Sequence, residues 1–456
     1  MMPSFLRFIP LAFFSVLLFA TCSRETIEDP VNHLPEIDTP MEVLAYADSL
    51  FTYTIPVEDI DGDEVMVSVE GLPGWLSFDG PARKLRGTPA REDEGVLELT
   101  VTADDGKGQR SRKLSIRVVV VLTLQEKLDM ELLHHYHLTT TGILGVSAAV
   151  ATQEGELVAS AAGKHSYMSD GPATPSHKYR MASVSKIFTA ALILRLSEEG
   201  YFGLDDKVLD YLSVPGLEYG DQITIRQLLS HTSGLVDHLN SSDFYTGSWM
   251  TRTWTNQDIF DYAVRKGALF EPGTAYAYSN TGFYFLGALA EKVTGLSLSE
   301  AFGQWIFEPL GLEETLYDDF SNRIVPIPNL AENERSYEYH LSAVGAAGAI
   351  VATPGDVARF GLAVYGGHFL SAASLEEMTT DYGFAVGGDH YGLGTRLWDD
   401  HGIIHHGHTG ALMDYRTILM YVPAKGICIV LATNEPHNRW YDLVNGVLVD
   451  IVQFYQ

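Results

Sequence analysis

The sequence predicts a multidomain chain: an all-β sandwich comes first, and a larger region of buried helices and strands follows. Three observations lead there. The chain has 456 residues, whereas one domain takes up roughly 150. From residue 32 to residue 121, apolar and polar side chains alternate with a period of two, as in half-buried strands. Further on, Ser183 and Lys186 lead into Ile187-Phe188-Thr189-Ala190-Ala191-Leu192-Ile193-Leu194. That run is apolar nearly all round, which predicts a helix inside a core.

Composition narrows the function. Hydrophobic residues make up 46% of the chain, enough to bury a sizeable core. The formal net charge is −29, and a surface that acidic repels phosphate backbones, which argues against a nucleic-acid partner. The two cysteines, Cys22 and Cys428, cannot form a disulfide framework and are not expected to meet. Cys428 lies in Gly426-Ile427-Cys428-Ile429-Val430-Leu431, which reads as a buried strand with a structural thiol.

The first elements are an address. Residues 1–21 carry one positive charge, Arg7, then an apolar stretch from Phe8 to Leu18, then small residues. This is the pattern of a secretory signal peptide, too short for a comfortable membrane span. Phe19-Ala20-Thr21-Cys22 resembles a bacterial lipobox, which implies lipidation at Cys22. Residues 22–31 then serve as a polar tether. The expected location is exported and lipid-anchored to the cell envelope, with the membrane engaged only through that lipid.

The sandwich is expected over residues 32–121. Val65, Val67 and Val69 alternate with polar neighbours, as do Leu97, Leu99, Val101 and Ala103, and then Leu114, Ile116, Val118 and Val120. Gly, Pro and Asp turns break the runs. Leu72-Pro73-Gly74-Trp75-Leu76-Ser77-Phe78-Asp79, Leu85-Arg86-Gly87-Thr88-Pro89 and Thr102-Ala103-Asp104-Asp105-Gly106 resemble the cadherin-like or immunoglobulin-like modules of bacterial surface proteins. Asp59-Ile60-Asp61-Gly62-Asp63 offers oxygen ligands of the kind calcium takes, but Asp and Gly also favour solvated turns, and the turn is the expected reading. A spacer or adhesive role is the default for this module.

Residues 124–456 carry the chemistry. Met181-Ala182-Ser183-Val184-Ser185-Lys186 puts Ser183 at the N-terminal end of the buried helix, where free N–H groups and the dipole favour developing negative charge. Lys186 follows on the same helical face, one turn on. A serine hydroxyl is a weak nucleophile until a base takes its proton, and a buried lysine has its pKa lowered far enough to do so. Tyr278-Ser279-Asn280, on a loop before an apolar helix from Tyr284 to Val293, adds a phenol that can shuttle a proton. Asn280 adds an amide that can bond both Lys186 and a substrate carbonyl. Gly407-His408-Thr409-Gly410-Ala411 precedes an apolar strand from Ile418 to Val422. Gly410 allows close backbone approach by a substrate, His408 is expected to face that substrate, and the N–H groups of Ala411 and Ser183 form a candidate oxyanion hole. His401, His405 and His406 lie nearby, but no His-Glu-x-x-His spacing points to a metal.

With these three motifs in order, residues 124–456 resemble the class C β-lactamase and related serine hydrolase family, which also contains penicillin-binding proteins, D,D-carboxypeptidases, D-stereospecific aminopeptidases and esterases. Ile225-Arg226-Gln227-Leu228-Leu229-Ser230-His231-Thr232-Ser233-Gly234-Leu235 and Ala347-Gly348-Ala349-Ile350-Val351-Ala352-Thr353-Pro354-Gly355-Asp356 extend the match. The resemblance implies an α/β domain of the β-lactamase/transpeptidase type: a mainly antiparallel sheet flanked by helices, a helical lobe, and a site in the cleft between them. It implies that Ser183, Lys186, Tyr278 and His408 are catalytic, that Asn280, Thr409, Gly410 and Ala411 bind substrate or oxyanion, and that no metal or cofactor is needed. His231 looks architectural, a turn residue ending a helix.

Two departures bear on the substrate. His408 stands where β-lactamases carry a lysine, and histidine is mostly neutral where lysine is a cation. That weakens the expectation of fast β-lactam turnover. Asp414 stands where relatives usually carry glycine, which predicts a reshaped or more acidic pocket wall. The reading is an exported serine hydrolase acting on ester or amide bonds of small molecules or peptides. The alternatives are an acylatable penicillin-binding or sensor protein without efficient turnover, and a purely adhesive surface protein.

Overall fold

The computed structural model describes residues 31–40, 42–138, 144–166, 170–241, 252–318, 330–331, 341–382, 390–435 and 439–455. The signal peptide, Cys22 and nearly all of the expected tether lie outside the described residues. The chain divides into two compact units, one ending at Val121 and the other beginning at Leu122.

The first unit is all β, as its alternation predicts. Its strands are β1 (Glu36–Ile37), β2 (Glu42–Tyr46), β3 (Phe51–Thr54), β4 (Val57–Glu58), β5 (Met66–Glu70), β6 (Leu76–Asp79), β7 (Lys84–Gly87), β8 (Gly95–Asp104) and β9 (Gln109–Val119). They form a four-stranded sheet in the order β2-β9-β8-β5, a three-stranded sheet in the order β3-β7-β6, and the short pair β1-β4. The long hairpin β8–β9 pairs from Gly95 opposite Val118 to Asp104 opposite Gln109. Its inward residues Leu99, Val101, Ala103, Leu114, Ile116 and Val118 are all buried, sharing a core with Ile55 and Leu85. Gly87 is required by packing: a Cβ there would lie 2.0 Å from the Trp75 carbonyl oxygen.

The acidic turn keeps its own company. The N–H groups of Asp61 and Asp63 donate to Asp59 Oδ1 at 2.9 and 3.2 Å. His33 Nδ1 lies 2.9 Å from Asp61, and Lys107 Nζ lies 2.7 Å from Asp63.

The second unit opens with α1 (Leu124–Leu138), then β10 (Gly145–Thr152), β11 (Leu157–Gly163), β12 (Tyr179–Arg180) and α2 (Ser185–Glu198). A helical segment follows: α3 (Ile225–Leu229), α4 (Asn256–Lys266), α5 (Asn280–Thr294), α6 (Leu298–Phe302) and α7 (Glu308–Leu310). The chain then returns through β13 (Thr315–Tyr317), β14 (Ile350–Ala352), α8 (Pro354–Tyr365) and α9 (Ala372–Thr379). It ends in β15 (His390–Tyr391), β16 (Arg396–Asp400), β17 (Ile403–Leu412), β18 (Tyr415–Val422), β19 (Ile427–Thr433) and α10 (Trp440–Phe454). A seven-stranded antiparallel sheet runs β11-β10-β19-β18-β17-β16-β15, and a small sheet runs β12-β14-β13.

The large sheet is covered on both faces, so its central strands are apolar without interruption. Ile427, Ile429 and Leu431 of β19 face a core shared with α1 and α10, while Cys428, Val430 and Ala432 face the core of α2, α5 and α8. Cys428 is buried and free, and burial raises its thiol pKa well above the ordinary value. Helix α2 is buried at every position from Ser185 to Leu194; each large aliphatic side chain buried there contributes about 1.5–3 kcal/mol. The Ser183–Lys186 motif therefore leads into a helix enclosed over its first ten residues.

Candidate active site

Ser183 lies in a single 3-10 turn, Ala182–Val184, directly ahead of α2. The turn is held from several sides. Thr417 Oγ1 donates to the Met181 carbonyl at 2.7 Å, Met181 N–H donates to the Ile350 carbonyl at 2.9 Å, and Ile350 N–H donates to Ser185 Oγ at 3.0 Å. Ala182 sits at φ +50°, a region that costs a non-glycine residue roughly 1 kcal/mol or more and that clusters at functional sites.

Gly410 explains part of this clamp. A Cβ on it would stand 2.4 Å from the Met181 carbonyl oxygen and 2.2 Å from Thr417 Oγ1. The close approach that requires glycine is thus made by the protein's own Ser183 turn, rather than by a substrate alone. Gly407 to Ala411 also lie within β17, paired to β18 from His406–Tyr421 to Leu412–Tyr415, not in a turn before the strand. The turn comes later, at Met413, with φ +52°.

Lys186 is 0% exposed. Its Nζ reaches Ser183 Oγ at 3.1 Å, Asn280 Oδ1 at 2.7 Å and the Ala347 carbonyl at 2.8 Å. Burial pushes its pKa from 10.5 down to about 7; the Asp237 carboxylate opposes the shift and Arg396 adds to it. Asn280 begins α5, whose N-cap Ser279 accepts from the Gly282 N–H. The Asn280 Nδ2 donates to both carboxylate oxygens of Asp237, at 3.1 and 3.0 Å, so its amide oxygen is turned toward Lys186.

Tyr278 is half-buried, and the Lys186 Nζ lies 4.9 Å from its ring centroid. Burial raises the phenol pKa far above the ordinary 10; a hydrogen bond with Ser183 and the Arg396 charge only partly offset this. A cavity of about 290 Å³ opens between these groups, lined by Ser183, Tyr278, Arg396, His408, Thr409 and Ala411 among others.

His408 is placed differently from the sequence expectation. It borders the cavity but is 1% exposed. Both ring nitrogens are engaged: Nε2 lies 3.0 Å from Tyr391 Oη and Nδ1 lies 2.6 Å from the Thr409 carbonyl. No free nitrogen is left to face a leaving group. His231, at φ +59° just past α3, is the turn residue expected of it. It is also a buried hub, with Tyr276, Tyr278, Phe283 and Tyr391 around its ring. The remaining histidines disperse. His405 pairs with Asp400 at 2.9 Å, His406 stands beside Tyr365, and His401 is exposed. Met413 rather than Asp414 lines the cavity.

Three residues of the site gave no signal in the sequence. Asp237 follows the His231-to-Leu235 motif but carries no spacing that marks it. Arg396 reaches the cavity because β16 pairs with β17, with Arg396 opposite Gly407; its guanidinium lies 5.9 Å from the Tyr278 ring centroid. Tyr391 enters from the edge strand β15.

The structure thus brings together a serine at the head of a buried helix, a lysine of lowered pKa against it, and a phenol and an amide at the start of a facing helix. The chain belongs to the Beta-lactamase family, whose profile matches residues 126–453, and residues 34–121 match the family described as "Putative Ig domain". The Penicillin-binding protein 4* of Bacillus subtilis is 34% identical over 245 residues, covering 47% of this chain and 52% of that protein. The Penicillin-binding protein 4 of Amycolatopsis lactamdurans is 30% identical over 290 residues, covering 57% of this chain and 73% of that one. The chain thus spans about half the length of the first of these relatives. Among solved structures, D-amino acid amidase from Ochrobactrum anthropi SV3, complexed with L-phenylalanine amide, superposes with a TM-score of 0.64 at 25% identity. That match covers 73% of this chain and 99% of the amidase.

Proposed function

We propose that this chain hydrolyses amide or ester bonds through an acyl-enzyme on Ser183. The observation that carries the reading is the contact of the fully buried Lys186 Nζ with Ser183 Oγ at 3.1 Å, with a pKa of about 7. Near neutral pH a large fraction of Lys186 is the free amine, a base able to accept the serine proton. Tyr278, by contrast, keeps its proton at that pH because burial raises its pKa, so it is the donor and Lys186 the acceptor.

Ser183 Oγ attacks the carbonyl carbon as its proton passes to Lys186. The oxyanion is received by the backbone N–H groups of Ser183 and Ala411. The bond to the leaving nitrogen or oxygen breaks as Tyr278 protonates it, and Lys186 returns the proton to Tyr278. Water, deprotonated by the same pair, attacks the acyl carbon; the bond to Ser183 Oγ breaks as the pair returns that proton to Oγ, and the acid leaves. Asn280 and Thr409 hold the substrate, and Gly410 keeps the strand against the nucleophile turn. His408 supports the site from behind.

Arg396 narrows the substrate class. His408 supplies no cation, but Arg396 brings one to the same cavity, and a guanidinium pairs well with a carboxylate. We therefore favour short peptide-like amides with a carboxylate near the scissile bond, in line with an amidase and penicillin-binding proteins among the similar chains. Lipidation at Cys22 would hold the exported chain at the cell envelope; labelling with a radioactive fatty acid that persists in C22A would refute that part.

The test is a hydrolysis panel of D-Ala-D-Ala peptides, p-nitrophenyl esters and a chromogenic cephalosporin, run on wild type and Ser183→Ala. The expected result is multiple turnover on peptide or ester and a loss on the order of 10⁴-fold or more in the variant. Undiminished turnover by Ser183→Ala overturns the mechanism. Stoichiometric labelling without turnover in wild type identifies an acylatable sensor instead.

A further inference from the structure

Tyr391 connects two histidines that carry no proton in the mechanism above, and the backbone donor at one end and acceptor at the other fix the direction of that connection. Ser279 N–H lies 3.1 Å from His231 Nδ1. A backbone N–H only donates, so His231 Nδ1 accepts and carries no proton. At the other end, His408 Nδ1 lies 2.6 Å from the Thr409 carbonyl. A carbonyl only accepts, so His408 Nδ1 carries a proton. A neutral imidazole has one donor and one acceptor nitrogen, so His231 is protonated on Nε2 and His408 has its lone pair on Nε2. Tyr391 Oη lies 3.1 Å from the first of these atoms and 3.0 Å from the second. Its hydroxyl accepts from His231 and donates to His408, with every donor and acceptor used once.

Both rings stay neutral in this setting. All three residues are buried, and burial lowers both histidines well below their ordinary range. The charges of Lys186 and Arg396 push the same way. Tyr276 also faces the His231 ring, and Tyr278 and Tyr391, whose pKa values burial raises, face the two rings as uncharged phenols.

We infer that Tyr391 is a positioning residue of this site: its hydroxyl joins the segment that carries Tyr278 into α5 at Asn280 to the strand bearing His408, Thr409 and Ala411, through two histidines of opposite tautomer. The inference rests on the serine-hydrolase reading for its catalytic consequence, but not for the tautomers. Ser279 lies between Tyr278 and Asn280 in the chain, and Thr409 lies two residues before Ala411. Any change in the chain of hydrogen bonds therefore alters the separation of the proton donor from the oxyanion N–H. The same logic explains a histidine at position 408. A lysine ammonium has donors only; it could not accept from Tyr391, and it would add a charge beside Lys186 and Arg396.

The experiment uses the full chain labelled with ¹⁵N-histidine. Two-bond ¹H–¹⁵N correlations at pH 7 report the tautomers, assigned with His231→Gln and His408→Gln. The expected spectrum shows His231 protonated on Nε2 and His408 on Nδ1, both neutral. Tyr391→Phe is expected to lower kcat at least tenfold with KM changed less than threefold, and to raise the apparent pKa of His408. A shared tautomer, an imidazolium at either position, or kcat within twofold of wild type overturns the inference. Should Tyr391→Phe fail to fold, the wild-type spectrum decides by itself. Turnover surviving in Ser183→Ala would defeat the hydrolase reading and leave the tautomers untouched.

Discussion

Among the described residues of the β-sandwich unit, Asp105 is the one polar side chain that is buried, and it accepts from Asn32 Nδ2 and from the N–H groups of Lys107 and Gly108. Its ion pairs, such as Lys113 with Glu98 and Arg117 with Glu42, lie at the surface. The second unit buries Lys186, His231, Asn280 and His408 around Ser183 and Tyr278. Burying polar and ionisable groups is costly unless they are hydrogen-bonded or paired, so the contrast separates a unit with an almost wholly apolar core from one that holds a hydrogen-bonded polar cluster inside it. The cost takes a specific form at Lys186: the pocket that makes it a usable base is the same one that disfavours its proton.

Lys186→Met is the strongest challenge to that contrast. The variant is expected to lose about 10³-fold or more in kcat/KM while its melting temperature holds or rises, since a buried amine gives way to an apolar chain of similar length. The sign follows from linkage. With pKa 10.5 unfolded and about 7 folded, both states hold the proton below pH 7 and the full penalty is present. Between pH 7 and 10.5 only the unfolded state holds it, so wild type gains stability from this group as pH rises through that window. Lys186→Met should lack that gain in pH-dependent melting curves, and wild-type kcat/KM should rise with pH through about 7. A variant much less stable than wild type at pH 6 would place Lys186 among the stabilising residues and erase the contrast.

Arg396→Leu comes next. KM for carboxylate-bearing substrates should rise roughly 10- to 100-fold, the loss of a charge-assisted hydrogen bond, with neutral p-nitrophenyl esters little affected. Equal losses on both would make Arg396 a structural cation. Asp237→Asn should cost about tenfold in kcat/KM, because its carboxylate orients Asn280. It should also move the acid limb of the pH profile to lower pH, because the carboxylate raises the Lys186 pKa and its removal lets that pKa fall. An unmoved limb would leave Asp237 with the orienting role alone. Smallest in its effect on catalysis is Leu85→Ala in the β-sandwich core. It should destabilise that unit by about 2–5 kcal/mol and leave kcat/KM within twofold, measured by calorimetry and ester hydrolysis.

Much of this was legible in the chain itself. Period-two runs at Leu97 to Ala103 and Leu114 to Val118 became the inward faces of β8 and β9 because side chains alternate across any strand. The apolar run from Ile187 to Leu194 became the enclosed α2, and the Ser183–Lys186 offset placed the two on one helical face because that spacing is local. The parts read less well depended on partners far along the chain. His408 was expected at the substrate face, yet Tyr391 and the Thr409 carbonyl take both its nitrogens.

By itself, then, the sequence determined the order of the two units, the long hairpin strands of the first, two inner strands and two buried helices of the second, and the serine, lysine, tyrosine and asparagine that stand together. Those follow from side-chain periodicity and from spacings of a few residues, which backbone geometry turns directly into shared faces. The tertiary structure alone decided that Arg396 supplies the cavity's cation, that Asp237 turns Asn280 toward Lys186, and that two histidines 177 positions apart share one tyrosine hydroxyl. Strand register and burial govern these contacts, and both exist only once distant segments have packed.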